Sequence, residues 1–195
     1  LEMCKDGMME RFGIDEVYGM HNWPGRPIGT FAIRPGPFFA ATDTFEIVIE
    51  GKGGHAAKPN ETVDSIVMAA QCVTNLQTIA ARNADPVEQI VVSVTSFESS
   101  SKAFNVIPQS VTLRGTVRTL TPQMRALGRD RIHDICTHTA AVFGGVAHIT
   151  YIEGYPATVN HEAETKFAAE AATKVAGECD FAPLVMGGED FSYML

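Results

Sequence analysis

Six histidines offer this 195-residue sequence its most direct route to chemistry near neutral pH, and two of them stand in unusual surroundings. His21 lies in Gly19-Met20-His21-Asn22-Trp23-Pro24-Gly25, where an apolar run gives way to a tight turn. An imidazole held there on rigid backbone makes a good ligand for zinc or manganese. The same ring can instead satisfy the backbone of its turn, with Trp23 as a core plug. His55 lies in Gly51-Lys52-Gly53-Gly54-His55-Ala56-Ala57, whose small residues let backbone and another molecule come close to it. A histidine displayed this way can donate a hydrogen bond to a developing oxyanion; the alternative is an exposed ring on a flexible strand-to-helix turn. No G-x-x-x-x-G-K-[ST] pattern is present, so this is not a nucleotide phosphate loop.

A third candidate is Asn105-Val106-Ile107-Pro108, followed on the next strand by Arg118. Arg118 falls on the polar face of that strand, where a guanidinium can clamp a carboxylate with two parallel bonds or simply meet solvent. Arg114, on the same face, reads as a solvated surface residue. Gly187-Gly188-Glu189-Asp190 offers two adjacent carboxylates, which read as the cap of a helix N-terminus rather than as converging ligands. His133, His138, His148 and His161 follow no metal-ligand spacing and read as structural or surface residues. Cys4, Cys72, Cys136 and Cys179 form no C-x-x-C pair, so the thiols read as reduced and the location as cytoplasmic.

Several elements must position these groups. Residues 15–21 and 28–33 read as short strands, and Pro35-Gly36-Pro37 marks a boundary. Phe45, Ile47 and Ile49 alternate with Glu46 and Glu50, the period of a half-buried strand. Residues 61–83 show helical spacing, with Asn60 as N-cap and Asp85-Pro86 as stop. Residues 87–97 and 110–119 read as strands, Thr121-Pro122 opens a helix to about residue 143, and 146–153 supply a last strand. The order from 43 to 153 is therefore β-α-β-β-α-β, the split βαβ or ferredoxin-like arrangement, with two helices on one face of a four-stranded antiparallel sheet. A loop and an Ala-rich helix follow.

The fold class is thus α/β, with residues 36–153 inserted between 1–35 and 154–195, two pieces of another domain. Both ends of the sequence read as cut, which marks an internal fragment of a longer protein. With 15 Lys and Arg against 23 Asp and Glu, the formal charge is −8, which lacks the footprint of a nucleic-acid binder. No apolar run reaches the roughly 18 residues of a membrane span.

VYGMHNWPG, EGKGGHAAKPNETVDSI, NVIPQSVTLRGTVRTL and GGEDFSY, in that order, resemble the metal-dependent aminoacylase and carboxypeptidase family. The nearest branch is that of hippurate hydrolase and the N-acyl-amino-acid and auxin-conjugate amidohydrolases. The resemblance covers essentially the whole sequence. It implies a catalytic α/β domain with a di-metal site, zinc or manganese, interrupted by a ferredoxin-like lid and dimerisation domain. It makes His21 similar to a metal ligand and His55 to a catalytic lid histidine that stabilises the oxyanion across a homodimer. Asn105 and Arg118 become substrate-binding residues, with Arg118 the partner of the substrate carboxylate. The same resemblance places the first ligand cluster and the Glu general base before this segment, and a last His ligand after it. The implied reaction is hydrolysis of the amide of an N-acyl amino acid. The competing reading is a non-enzymatic ferredoxin-like module that dimerises or binds small ligands. An RNA-reading sheet is excluded, because strands 87–97 and 110–119 offer only Phe97 for stacking.

Overall fold

Alternating residues from Phe45 to Glu50 and from Val111 to Thr119 set two long strands side by side, each with one buried face. The structure, a computed structural model, describes residues 1–195. In chain order it contains helices α1 (Glu2–Lys5) and α2 (Met8–Phe12), strands β1 (Ala32–Ile33), β2 (Gly36–Phe39), β3 (Ala41–Glu50) and β4 (Gly54–His55), and helix α3 (Ser65–Leu76). Strands β5 (Ile90–Ser99), β6 (Val106–Ile107) and β7 (Ser110–Thr119) then precede helix α4 (Pro122–Val142). Strands β8 (Val146–Glu153) and β9 (Thr158–Asn160), helix α5 (Glu162–Ala176) and strand β10 (Asp180–Phe181) complete the order. Two compact units result, Thr42–Gly154 and the pair of segments Leu1–Ala41 and Tyr155–Leu195.

In the contiguous unit the sheet order is β5-β7-β3-β8. β5 is antiparallel to β7, and β3 to β8. β3 and β7 also run oppositely, since Asp43 meets Thr116, Glu46 meets Arg114 and Gly51 meets Gln109. Phe45, Ile47 and Ile49 of β3 and Val111, Leu113 and Val117 of β7 form one apolar layer. Met68, Cys72 and Leu76 of α3 and Ile132, Cys136 and Ala140 of α4 cover it. Each large side chain so buried contributes about 1.5–3 kcal/mol. Gly115 makes room for the Phe45 ring: a Cβ there would lie 2.2 Å from Phe45 Cζ and 2.3 Å from the Ser93 carbonyl.

Helix α3 begins later than the apolar spacing predicts. Val63 is held extended by reciprocal backbone bonds with Lys52 (2.9 and 3.0 Å), and Pro59–Glu61 form a separate 3-10 turn. Asp64, not Asn60, is the cap, accepting from the amides of Ile66 (2.9 Å) and Val67 (3.3 Å). The helix ends at Leu76, and Ile79–Asn83 form a π-helical turn. Thr121 caps α4 through its hydroxyl, with Pro122 in the first turn.

In the other unit β2 pairs antiparallel with β9, and β1 pairs parallel with β10. The boundary predicted at Pro35-Gly36-Pro37 therefore falls too early, because Gly36–Phe39 is a strand of this unit, tied to residues 158–160. Residues 15–21 form no strand, since no neighbouring strand offers them a ladder, and the one expected at 28–33 shrinks to Ala32–Ile33. No helix is long and apolar enough to cross a membrane. All four cysteines are free thiols.

Candidate metal and substrate residues

His21 lies on an irregular segment of the two-piece unit, with its side chain half exposed. Its ring packs at 5.9 Å from that of Trp23 and 5.7 Å from that of Phe39, centroid to centroid, and these two rings meet edge-on at 6.1 Å. His21 Nδ1 lies 2.7 Å from Glu189 Oε2. Glu189 is also the cap of the 3-10 turn Asp190–Met194, its Oε1 accepting from the Phe191 amide at 3.3 Å. Gly19 makes this approach possible: a Cβ there would already press on the Phe191 ring at 3.2 Å. Burial pushes the Glu189 carboxyl up, but the Phe191 amide, His21 and Asp190 outweigh it and hold it below the usual carboxylate range. An ionised carboxylate only accepts, so Nδ1 is the donor, and in the neutral ring Nε2 carries the lone pair.

His55 is set the opposite way. It is exposed on β4, which pairs with β6 so that His55 stands opposite Val106. The Ala57 amide donates to His55 Nδ1 at 3.1 Å, so in the neutral ring Nε2 carries the hydrogen and can donate outward. The glycines of this run serve chain packing. A Cβ on Gly51 would lie 2.1 Å from the Val63 carbonyl, and one on Gly53 would lie 2.9 Å from that of Ile107. The GGHAA and NVIP runs are thus one ribbon, with the Ala56 amide donating to the Asn105 carbonyl at 2.9 Å. This brings His55 and Asn105 together, with Asn105 itself exposed.

Arg118 lies apart from that ribbon, on β7. Its guanidinium is not the unattached group that the strand pattern predicts. Nη1 donates to the Thr116 hydroxyl, to the Val117 carbonyl at 3.0 Å and to the Asp43 carbonyl at 3.3 Å. Arg114 on the same face pairs with Glu46 (2.8 Å) and Glu98 (3.1 Å) on the surface.

Sequence reasoning missed two groups. It assigned Glu189 a cap and nothing more, because contact with His21 spans 168 positions that no local pattern connects. It also passed over Asp43, which is 1% exposed. Asp43 accepts from Arg125 Nη2 (2.5 Å), Tyr151 Oη (2.7 Å), Arg125 Nε (2.9 Å) and the Gly154 amide (3.0 Å). A buried polar triad cannot be read from strand alternation.

As a metal site, the chain supplies one nitrogen donor backed by a carboxylate, a common pairing behind metal-bound histidine. No group of three or more His, Cys, Asp or Glu converges anywhere in it. His21 fits a metal as one member of a larger donor set.

The family model for peptidase family M20/M25/M40 matches residues 1–195. The N-acetyl-L-cysteine deacetylase of Bacillus subtilis is 37% identical over 100% of this chain and 46% of its own length. The hippurate hydrolase of Campylobacter jejuni is 35% identical over 98% of this chain and 50% of its own length. Among solved structures, the YxeP protein of Bacillus subtilis, described as a dinuclear metal binding peptidase, superposes with a TM-score of 0.79 at 30% identity. That match covers 99% of this chain and 48% of YxeP. The chain spans about half the length of the curated relatives it matches.

Proposed function

The chain belongs to peptidase family M20/M25/M40, and on that premise we propose that its protein hydrolyses the amide bond of N-acyl amino acids, hippurate-like compounds among them. The observation that carries this reading is the opposite setting of two histidines. Glu189 leaves His21 with a lone pair on Nε2, suited to a divalent cation, and the Ala57 amide leaves His55 with a donor on Nε2, suited to an oxyanion.

In this reading His21 is one ligand of a two-metal centre of zinc or manganese, and the half of the relatives' length not represented here supplies the others. When bound, divalent ions supply Lewis acidity and lower the pKa of the attacking water. His55 donates its Nε2 hydrogen to the carbonyl oxygen as negative charge develops there, and keeps that proton through the step. Asn105, on the ribbon beside His55, holds the substrate by its amide. Arg118, steadied through Nη1 by Thr116 and two carbonyls at the Asp43 end of β7, receives the free carboxylate, and the His55–Asn105 ribbon, beyond the other end of that strand, reaches the same substrate across the homodimer. The Thr42–Gly154 unit, of ferredoxin-like topology, serves as lid and homodimer surface, an assignment its exposed edge strand β5 with Val91 and Phe97 supports. Four free thiols suit a cytoplasmic location.

The reading as a non-enzymatic dimerisation module is disfavoured by the match to a peptidase family over residues 1–195. The test is the full-length protein, loaded with Mn²⁺ or Zn²⁺ and offered a panel of N-benzoyl and N-acetyl amino acids with their carboxylate-blocked amides. Cleavage of the free acids in preference to the blocked forms is expected. Failure to cleave any member would overturn the proposal.

A further inference from the structure

We infer that Glu189 is a positioning residue for His21, holding its ring in the tautomer that turns a lone pair outward on Nε2. The inference rests on the proposed ligand role of His21 and adds to it the residue that makes this ring a ligand rather than a donor. Three observations converge on it. Glu189 Oε2 lies 2.7 Å from Nδ1, a short separation typical of a charge-assisted bond. The Glu189 side chain is only 22% exposed against 50% for His21, so the carboxylate sits behind the ring and the ring faces outward. Trp23 and Phe39, packed on each other, abut one side of the imidazole and limit its rotation about the remaining torsion.

The two carboxylate oxygens have separate tasks. Oε1 accepts from the Phe191 amide and caps the 3-10 turn, while Oε2 accepts from His21. This division makes the role separable from mere capping. In Glu189→Gln the side-chain amide can keep an oxygen on Phe191 only by turning its NH₂ toward Nδ1. That arrangement forces the hydrogen to Nε2 and removes the lone pair from the outward nitrogen. Glu189→Asp keeps a strong capping carboxylate but is one methylene shorter, so it withdraws from the ring.

The experiment uses the full-length protein freed of metal, with histidine rings labelled with ¹⁵N. Long-range ¹H–¹⁵N spectra should show His21 with an unprotonated Nε2 in the wild type and a hydrogen on Nε2 in Glu189→Gln. Calorimetric titration with Mn²⁺ should show affinity falling about 10–100-fold in both Glu189→Gln and Glu189→Asp. Their thermal unfolding should stay close to the wild type, because each variant keeps an oxygen that accepts from the Phe191 amide. If both variants keep the wild-type tautomer and affinity while His21→Ala loses affinity, Glu189 only caps its turn and the inference is overturned. If His21→Ala itself binds Mn²⁺ as the wild type does, the ligand role of His21 fails, and this inference with it.

Discussion

Replacing Asp43 by Asn changes one oxygen for one NH₂ in a pocket that contains only donors. Asp43 receives two guanidinium nitrogens of Arg125, the Tyr151 hydroxyl and the Gly154 amide, and its side chain is 1% exposed. Asn accepts through one oxygen and aims its own N–H groups at the rest. It also leaves Arg125, 18% exposed, with only Glu153 at 3.9 Å as a charge partner. Removing one member of a buried ion pair costs about 3–5 kcal/mol. The nearby Glu153 places this case at the low end, about 3 kcal/mol. In urea, with a slope of about 1.5 kcal/mol per molar for a domain of this size, the midpoint should fall by about 2 M. Far-UV circular dichroism of residues 42–154 reads the transition without interference from the other unit. The pH dependence provides an internal check. Burial pushes the Asp43 carboxyl up, but Arg125, Tyr151 and Gly154 prevail and hold it below its ordinary 3.8. A lowered folded-state pKa contributes stability that is present above the unfolded value and lost as pH falls through the folded one. The gap between wild type and variant should therefore be full at pH 6 and close progressively below about pH 4. A loss under 1 kcal/mol at pH 6, or a gap that widens in acid, would refute the reasoning.

Residues 42–154, expressed alone, should unfold in one cooperative transition, because their sheet, helices and core are contiguous; a dye-binding, non-cooperative state would contradict this. In the full-length protein His55→Ala should lower kcat by about two to three powers of ten with little change in KM, measured by steady-state hydrolysis of an N-acyl amino acid, because the lost bond forms mainly in the transition state. The 195-residue chain by itself should show no turnover of hippurate with added Mn²⁺ or Zn²⁺, since it offers one candidate ligand where a catalytic zinc takes three protein ligands.

Most of the sheet and both of its helices were legible because Phe45-Ile47-Ile49 and Val111-Leu113-Val117 alternate cleanly, and α4 announces itself with Thr121-Pro122. The start of α3 was not, because the Lys52–Val63 backbone bridge that holds Val63 extended joins residues on either side of a loop. The short strands β2 and β9 escaped for the same reason: each is too brief for a periodic signal and exists through its partner. Among the chemical residues, His21 and His55 stood out through turn and glycine context. The Glu189 and Ala57 partners that fix their tautomers did not, because hydrogen bonds are made by the fold. Arg118 was placed on the right face, yet its anchoring to Thr116 and Asp43 depends on side-chain lengths that a polar-apolar pattern ignores.

The central claim, a metal-dependent hydrolase of N-acyl amino acids, is tested most directly by titrating turnover against metal. The full-length protein is stripped with a chelator, and hippurate hydrolysis is followed as Mn²⁺ or Zn²⁺ is returned. No turnover is expected in the stripped protein, and full recovery is expected as about two ions per chain are restored. Hydrolysis that persists after every divalent ion has been removed, or that never appears at any metal loading, would contradict it.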